Sequence, residues 1–158
     1  MEGLQLDIFR AFAKDWALLT AGTPENFNTM TISWGGMGTL WGKPVVTVYV
    51  KPIRYTHDYL EQSDTFTVSF FPEKYRQDLT LLGTKSGRDG DKVAKTHLTA
   101  VPAADSVGFA EASVTLVCKK IYRQELDLAA MPPEAIQMAY TEEAPHTMYI
   151  GEVLDILR

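Results

Sequence analysis

Residues 28–56, NTMTISWGGMGTLWGKPVVTVYVKPIRYT, constrain this chain more than any other stretch. Residues 28–34 alternate Thr29, Thr31 and Ser33 with Met30, Ile32 and Trp34, the period-two pattern of a strand with one polar and one apolar face. The polar face is expected to stay free for binding. Gly35, Gly36 and Gly38 predict a turn. Residues 45–50, apolar and β-branched, predict a strand buried on both faces. Pro52 ends that strand, and Lys51, Arg54 and Thr56 then set two cations and a hydroxyl ahead of a helical pattern. Such a junction suits an anion, because a helix start adds free N–H groups and the positive end of its dipole.

A chain of 158 residues is the size of one domain, and no boundary interrupts residues 1–158. With 46% hydrophobic and 22% charged residues, extended disorder is excluded. The net charge of -5 argues against broad electrostatic binding to nucleic acid or to an acidic membrane, so any anion site must be local. The single Cys118 cannot form an intrachain disulfide, and its apolar neighbours predict a buried thiol. The first thirty residues contain no apolar run long enough for a signal peptide or membrane span, and the expected address is cytoplasmic.

Residues 4–20 carry Ile8, Phe9, Phe12, Trp16 and Leu19 at helical spacing, but residues 17–22 read equally as a strand closed by Gly22. The preferred reading is a helix ending near Lys14 with a strand after it. Turn chemistry at residues 23–26 leads back into the central stretch. Further along, residues 56–62 predict a short helix, 65–71 a strand ended by Pro72, and 73–82 an amphipathic helix. Residues 83–92, GTKSGRDGDK, form a polar, charge-dense loop. Residues 108–126 alternate as one bent strand or a hairpin arm, a short helix follows Pro132-Pro133, and residues 146–156 close with a strand. The sum is a mainly β, antiparallel domain with peripheral helices, best closed as a small barrel.

NTMTISWG, a buried strand followed by RYT, then SGRDGDK and finally HTMYIGEV occur in that order. With these motifs the chain resembles the flavin reductase-like, flavoredoxin-type proteins along nearly its whole length. The resemblance implies an FMN-binding split β-barrel that pairs as a homodimer, with one FMN near each subunit interface. It implies either flavin reduction by NADH or NADPH, with hydride passing to flavin N5, or non-enzymatic electron transfer to a partner protein. By the same resemblance Asn28, Thr29, Met30, Thr31, Ser33 and Trp34 would line the isoalloxazine and ribityl side. Arg54 and Thr56 would hold the phosphate, Ser86, Gly87 and Lys92 would approach from the second loop, and His146 would lie near the flavin. Some relatives continue beyond the last strand, so a flavin-covering tail is expected to be missing.

Each element also has a plainer reading: Thr29, Thr31 and Ser33 as a solvent face, Arg54 and Lys92 as surface charges, Trp34 and Trp41 as core or dimer anchors. Other chemistries have less support. His57, His97 and His146 form no metal-binding motif, Ser33 lacks a nucleophile-elbow context, and Gly36-Met37-Gly38 does not extend to a dinucleotide fingerprint. The expected site has no metal and no identified catalytic side chain; the protein acts by positioning the flavin.

Overall fold

The computed structural model describes residues 3–158. Ile8–Arg10 starts a helical segment that widens into a π-turn over Ala11–Asp15 (together α1). Strands β1 (Ala17–Thr23) and β2 (Asn26–Ile32) form a hairpin, and β3 (Gly35–Leu40) and β4 (Lys43–Val50) form a second. Then come α2 (Tyr55–Gln62), β5 (Thr65–Phe70), α3 (Arg76–Thr84), β6 (Ala100–Ala103), β7 (Ser106–Phe109), β8 (Val114–Glu125), α4 (Pro133–Ala139) and β9 (Thr147–Leu157). The strand expected after the first helix is therefore present. The β6–β7 hairpin, a separate two-stranded sheet, takes the beginning of the long strand expected over residues 108–126.

The main sheet has the order β2-β1-β5-β8-β9-β4-β3, with antiparallel neighbours throughout. Its edges are β2 and β3, which are consecutive in the chain and joined through Ser33 and Trp34. The edges of a flat sheet this wide would stand roughly 29 Å apart, whereas the link from Ile32 to Gly35 can span at most about 11 Å. The sheet must therefore curl until its edges meet. Because β2 and β3 do not pair, the barrel stays split along that seam. Register shifts in β8 at Val117/Cys118 and Lys120/Tyr122 supply the local bending that closure needs.

The barrel interior is packed by Leu19, Ile32, Val48, Phe66, Leu116 and Tyr149 among others, with Phe12 of α1 against it. A second core of Leu18, Phe71, Leu79, Leu82, Leu98 and Phe109 lies on the outer side of β1 and β5, beneath α3 and the β6–β7 hairpin. The first expectation holds only in part, because Thr29 on the threonine face of β2 is covered while Thr31 and Ser33 stay half-buried. Thr29 is 0% exposed and its hydroxyl lies 2.8 Å from that of Thr20. Thr31 donates to Leu79 O of α3.

The glycine-rich segment is also not a turn. Gly35, Gly36 and Gly38 pair within β3, and the reversal falls at Trp41-Gly42, where both residues have positive φ, 52° and 72°. That is the signature of a two-residue type I′ hairpin. Gly35 is required by approach: a Cβ there would stand 2.5 Å from the Phe12 ring. In β4, Thr47 and Tyr49 are half-buried, so only part of the apolar run is enclosed on both faces.

Candidate functional site

The open seam continues as a cleft of three connected chambers. The widest, about 1060 Å³, is lined by Phe12, Trp34, Met37, Tyr49, Tyr140 and Met148 among others. Ser33, Trp34, Tyr49 and His146 also border a middle chamber of about 430 Å³, which reaches Met30, Thr31 and Arg54. Met30, Ile53, Arg54 and Gly83 lead on to a narrow end of about 120 Å³, where Asn28, Thr56, Ser86, Gly87 and Lys92 converge. Every residue nominated from sequence except Thr29 lines one of these chambers.

Local chain geometry explains the convergence at the narrow end. Pro52 stands two residues beyond the end of β4, and the chain turns as the Arg54 N–H donates to Lys51 O at 3.0 Å before α2 begins. Arg54 is the N-cap of α2 and supplies no side-chain acceptor. Tyr55 and Thr56, the first helical residues, therefore bring under-used N–H groups to the chamber wall. The Asn28 amide donates to Thr56 Oγ1 at 2.8 Å, tying β2 to α2. Gly87 lies against that amide so closely that a Cβ would stand 2.1 Å from Asn28 Oδ1. Arg88 clamps the loop by donating to Ile53 O at 2.9 Å and pairing with Asp58 at 3.0 Å.

Two cations meet in this corner. Lys92, only 5% exposed, donates from Nζ to Leu82 O at 2.9 Å and Lys85 O at 3.0 Å, at the C-terminal end of α3. Arg54 donates to Gly83 O at 3.1 Å. Burial, and secondarily the Arg54 charge, pull the Lys92 pKa down to about 8. Among the described residues neither cation has a carboxylate within salt-bridge distance. Capping of the last turn of α3 gives both cations carbonyl partners, and it leaves two positive charges side by side. An ammonium has three N–H donors and a guanidinium five, so both groups retain donors for an anion.

At the other end, Trp34 is 46% exposed and its ring lies 5.2 Å from that of His146. The Tyr140 hydroxyl is 2.6 Å from His146 Nδ1. Sequence reasoning missed Tyr49, Tyr140 and Glu143 as members of the cleft, and Lys51, expected beside Arg54 at the anion end, borders the middle chamber instead and pairs with Glu143. Tyr49 carried a signal, the one aromatic ring in a β-branched run; Tyr140 and Glu143 carried none. Cys118 is buried as expected, its thiol pushed up to about 12 by burial. No group of three or more candidate metal ligands occurs among the described residues, and no helix among them is long and apolar enough to cross a membrane.

Fold and cleft together define a split-barrel protein, and solved structures support that class along the full chain. An FMN-binding protein from Thermus thermophilus with bound p-hydroxybenzaldehyde has a TM-score of 0.73 at 18% identity, covering 100% of this chain and 79% of that one. Flavoredoxin of Desulfovibrio vulgaris gives 0.71 at 22% identity, covering 99% and 76%. A putative flavin reductase with a split-barrel domain from Shewanella frigidimarina gives 0.71 at 16% identity, covering 90% and 66%. The chain belongs to the flavin reductase-like domain family, whose family model matches residues 9–158. A search of curated protein sequences finds no match.

Proposed function

We propose that the cleft binds FMN and that the protein is an oxidoreductase whose flavin is reduced by NADH or NADPH. The observation that carries this reading is the pair Arg54 and Lys92, two cations at the narrow end of an elongated cleft with no carboxylate in salt-bridge distance among the described residues. A phosphate would take the remaining donors there, the ribityl chain would run past Met30 and Ser33, and the ring would lie beside Trp34. Bound FMN would supply a ring that accepts hydride at N5 and passes reducing equivalents on. The chain's own residues bind and orient it: Arg54, Lys92 and the α2 N-terminus hold charge, while Trp34, Tyr49 and Met148 provide apolar walls. The wide chamber leaves room for a nicotinamide beside the ring.

Anaerobic mixing of the FMN-loaded protein with NADH and with NADPH tests the enzymatic reading, and flavin bleaching at a catalytic rate is expected with at least one. Inertness to both, with reduction by a protein donor, would favour an electron carrier. Failure to take up FMN would overturn both.

A second proposal concerns assembly. Phe9, 89% exposed, stands with Trp34 and Met37 on the rim of the wide chamber. Such a patch is costly to leave in water, and a second copy of the chain is the expected cover. Light scattering at micromolar concentration should give the mass of a dimer; a monomer mass with FMN bound would count against it.

Trp34 should also report on the ligand. FMN binding is expected to quench its emission, and Trp34→Phe should remove much of that quenching with the fold intact. Trp16, stacked under Arg76 at 3.4 Å, and Trp41 at the β3–β4 turn lie outside the chambers and serve as the residual signal. Unchanged quenching in the variant would place Trp34 away from the ring.

A further inference from the structure

His146 borders both the wide and the middle chamber. Its ring is held between Trp34, at 5.2 Å, and Tyr140, at 5.5 Å and 78°. Its carbonyl accepts from Leu126 N–H at 3.0 Å, so the backbone beneath the ring is anchored as well. Tyr140 is equally constrained. Its N–H closes α4 on Ile136 O at 2.8 Å, and Lys51 locks that helix end by donating to Ala139 O at 2.8 Å and pairing with Glu143 at 2.6 Å.

The two nitrogens of His146 differ in what they meet. Nδ1 is 2.6 Å from the Tyr140 hydroxyl. Nε2 makes no hydrogen bond to the described residues, and it is not among the polar atoms sealed from solvent without a partner. In a neutral ring one nitrogen carries the proton and the other accepts, and the hydrogen bond made by one determines the state of the other. A phenol is a better donor than acceptor and an unprotonated imidazole nitrogen a strong acceptor, so the short contact is O–H to Nδ1. The ring proton then sits on Nε2.

We propose that Tyr140 is a positioning residue that holds His146 as the Nε2–H tautomer, presenting a neutral N–H donor to an acceptor atom of the ligand beside Trp34. Burial and then Lys51 lower the His146 pKa to about 4, against the opposing effect of Glu143, which keeps the ring neutral at ordinary pH. A neutral donor suits a carbonyl oxygen or ring nitrogen of an aromatic system, since it adds direction without adding charge. The identity of that ligand rests on the FMN reading; the tautomer does not.

Nitrogen-15 NMR of histidine-labelled protein without flavin tests the tautomer, with His146 assigned by loss of its signals in His146→Gln. Nε2 should resonate as a protonated nitrogen and Nδ1 as an unprotonated, hydrogen-bonded one. Tyr140→Phe should shift both toward the average of two exchanging tautomers. A protonated Nδ1 in the wild type would overturn the proposal even if the variant did not fold, and so would a Tyr140→Phe spectrum identical to that of the wild type. The donor role is tested by FMN titration. His146→Leu should weaken FMN roughly threefold to tenfold, the worth of one net hydrogen bond, while His146→Gln, which keeps an N–H donor, should recover most of the loss. Equal affinity in all three would remove the donor role. If the wild type bound no FMN, the reading of the cleft would fail while the tautomer was decided by the spectra alone.

Discussion

Arg54→Ala should lower FMN affinity on the order of tenfold to a hundredfold and leave riboflavin affinity nearly unchanged. A hydrogen bond to a charged group is worth roughly 1.5–3 kcal/mol, and riboflavin lacks the phosphate that would receive it. Changes at Asn28 should weaken both ligands, because its amide ties β2 to the start of α2 and packs on Gly87. Lys92→Met, which keeps the buried stem and removes the charge, should act in the same sense as Arg54→Ala. It should also remove a pH dependence. In the free protein Lys92 releases its proton near pH 8, and contact with a phosphate favours the ammonium and so raises that value. Below pH 8 the lysine is charged in both states, and its protonation contributes no slope. Above it, FMN must bind together with a proton, so affinity falls by up to about tenfold per pH unit until the raised pKa is reached. Flavin fluorescence titrations of FMN and riboflavin between pH 7 and pH 9 measure both effects. Equal losses for the two ligands in Arg54→Ala would return that loop to a surface turn, and a pH slope surviving in Lys92→Met would assign the proton elsewhere.

A large loss of stability is expected from a smaller substitution, Gly151→Ala. Gly151 lies in β9 opposite Val46 and Lys120, where the β8–β9 register shifts. A Cβ there would stand 2.5 and 2.7 Å from atoms of the Phe66 ring and 2.8 Å from Cys118 Cβ. Both neighbours are fully buried, so relief requires a backbone shift in the middle of the sheet. Overpacking of this kind costs about 1–3 kcal/mol, occasionally more, against a total stability of about 5–15 kcal/mol for ordinary domains. The midpoint of chemical denaturation should fall accordingly. Gly36→Ala, where a Cβ would meet nothing within 4 Å, is the control and should scarcely move it. Equal midpoints for Gly151→Ala and the wild type would show that the interior of the barrel yields where its packing says it cannot.

The ends of the elements were legible because they depend on local chemistry. Pro52 cannot continue β4 as a ladder donor, Pro72 lies just beyond β5, and Pro133 stands in the first turn of α4. Arg54 and Thr56 were legible for the same reason: a strand handing over to a helix exposes donors wherever it occurs. Membership of the cleft was readable for Ser86, Gly87, Lys92 and His146 through motif order, although nothing local says that residues 86–92 return to cover α2.

The alternation along residues 28–34 by itself marked a strand whose neighbouring side chains point to opposite sides, although β2 ends at Ile32 and Ser33 and Trp34 form the link to β3; Arg54 and Thr56 marked one side of a cationic corner whose second cation is Lys92 and not Lys51. Which side of β2 met water was decided only by tertiary structure. A period of two separates two faces but does not say what lies over either, and here Thr29 is sealed against Thr20 of β1 while Thr31, bonded to Leu79 O of α3, still borders the middle chamber. The seam likewise exists only because a short link joins the two edge strands of a seven-stranded sheet. Closure is a property of strand order, set by long-range pairing, and no residue on either side of Ser33 and Trp34 records it.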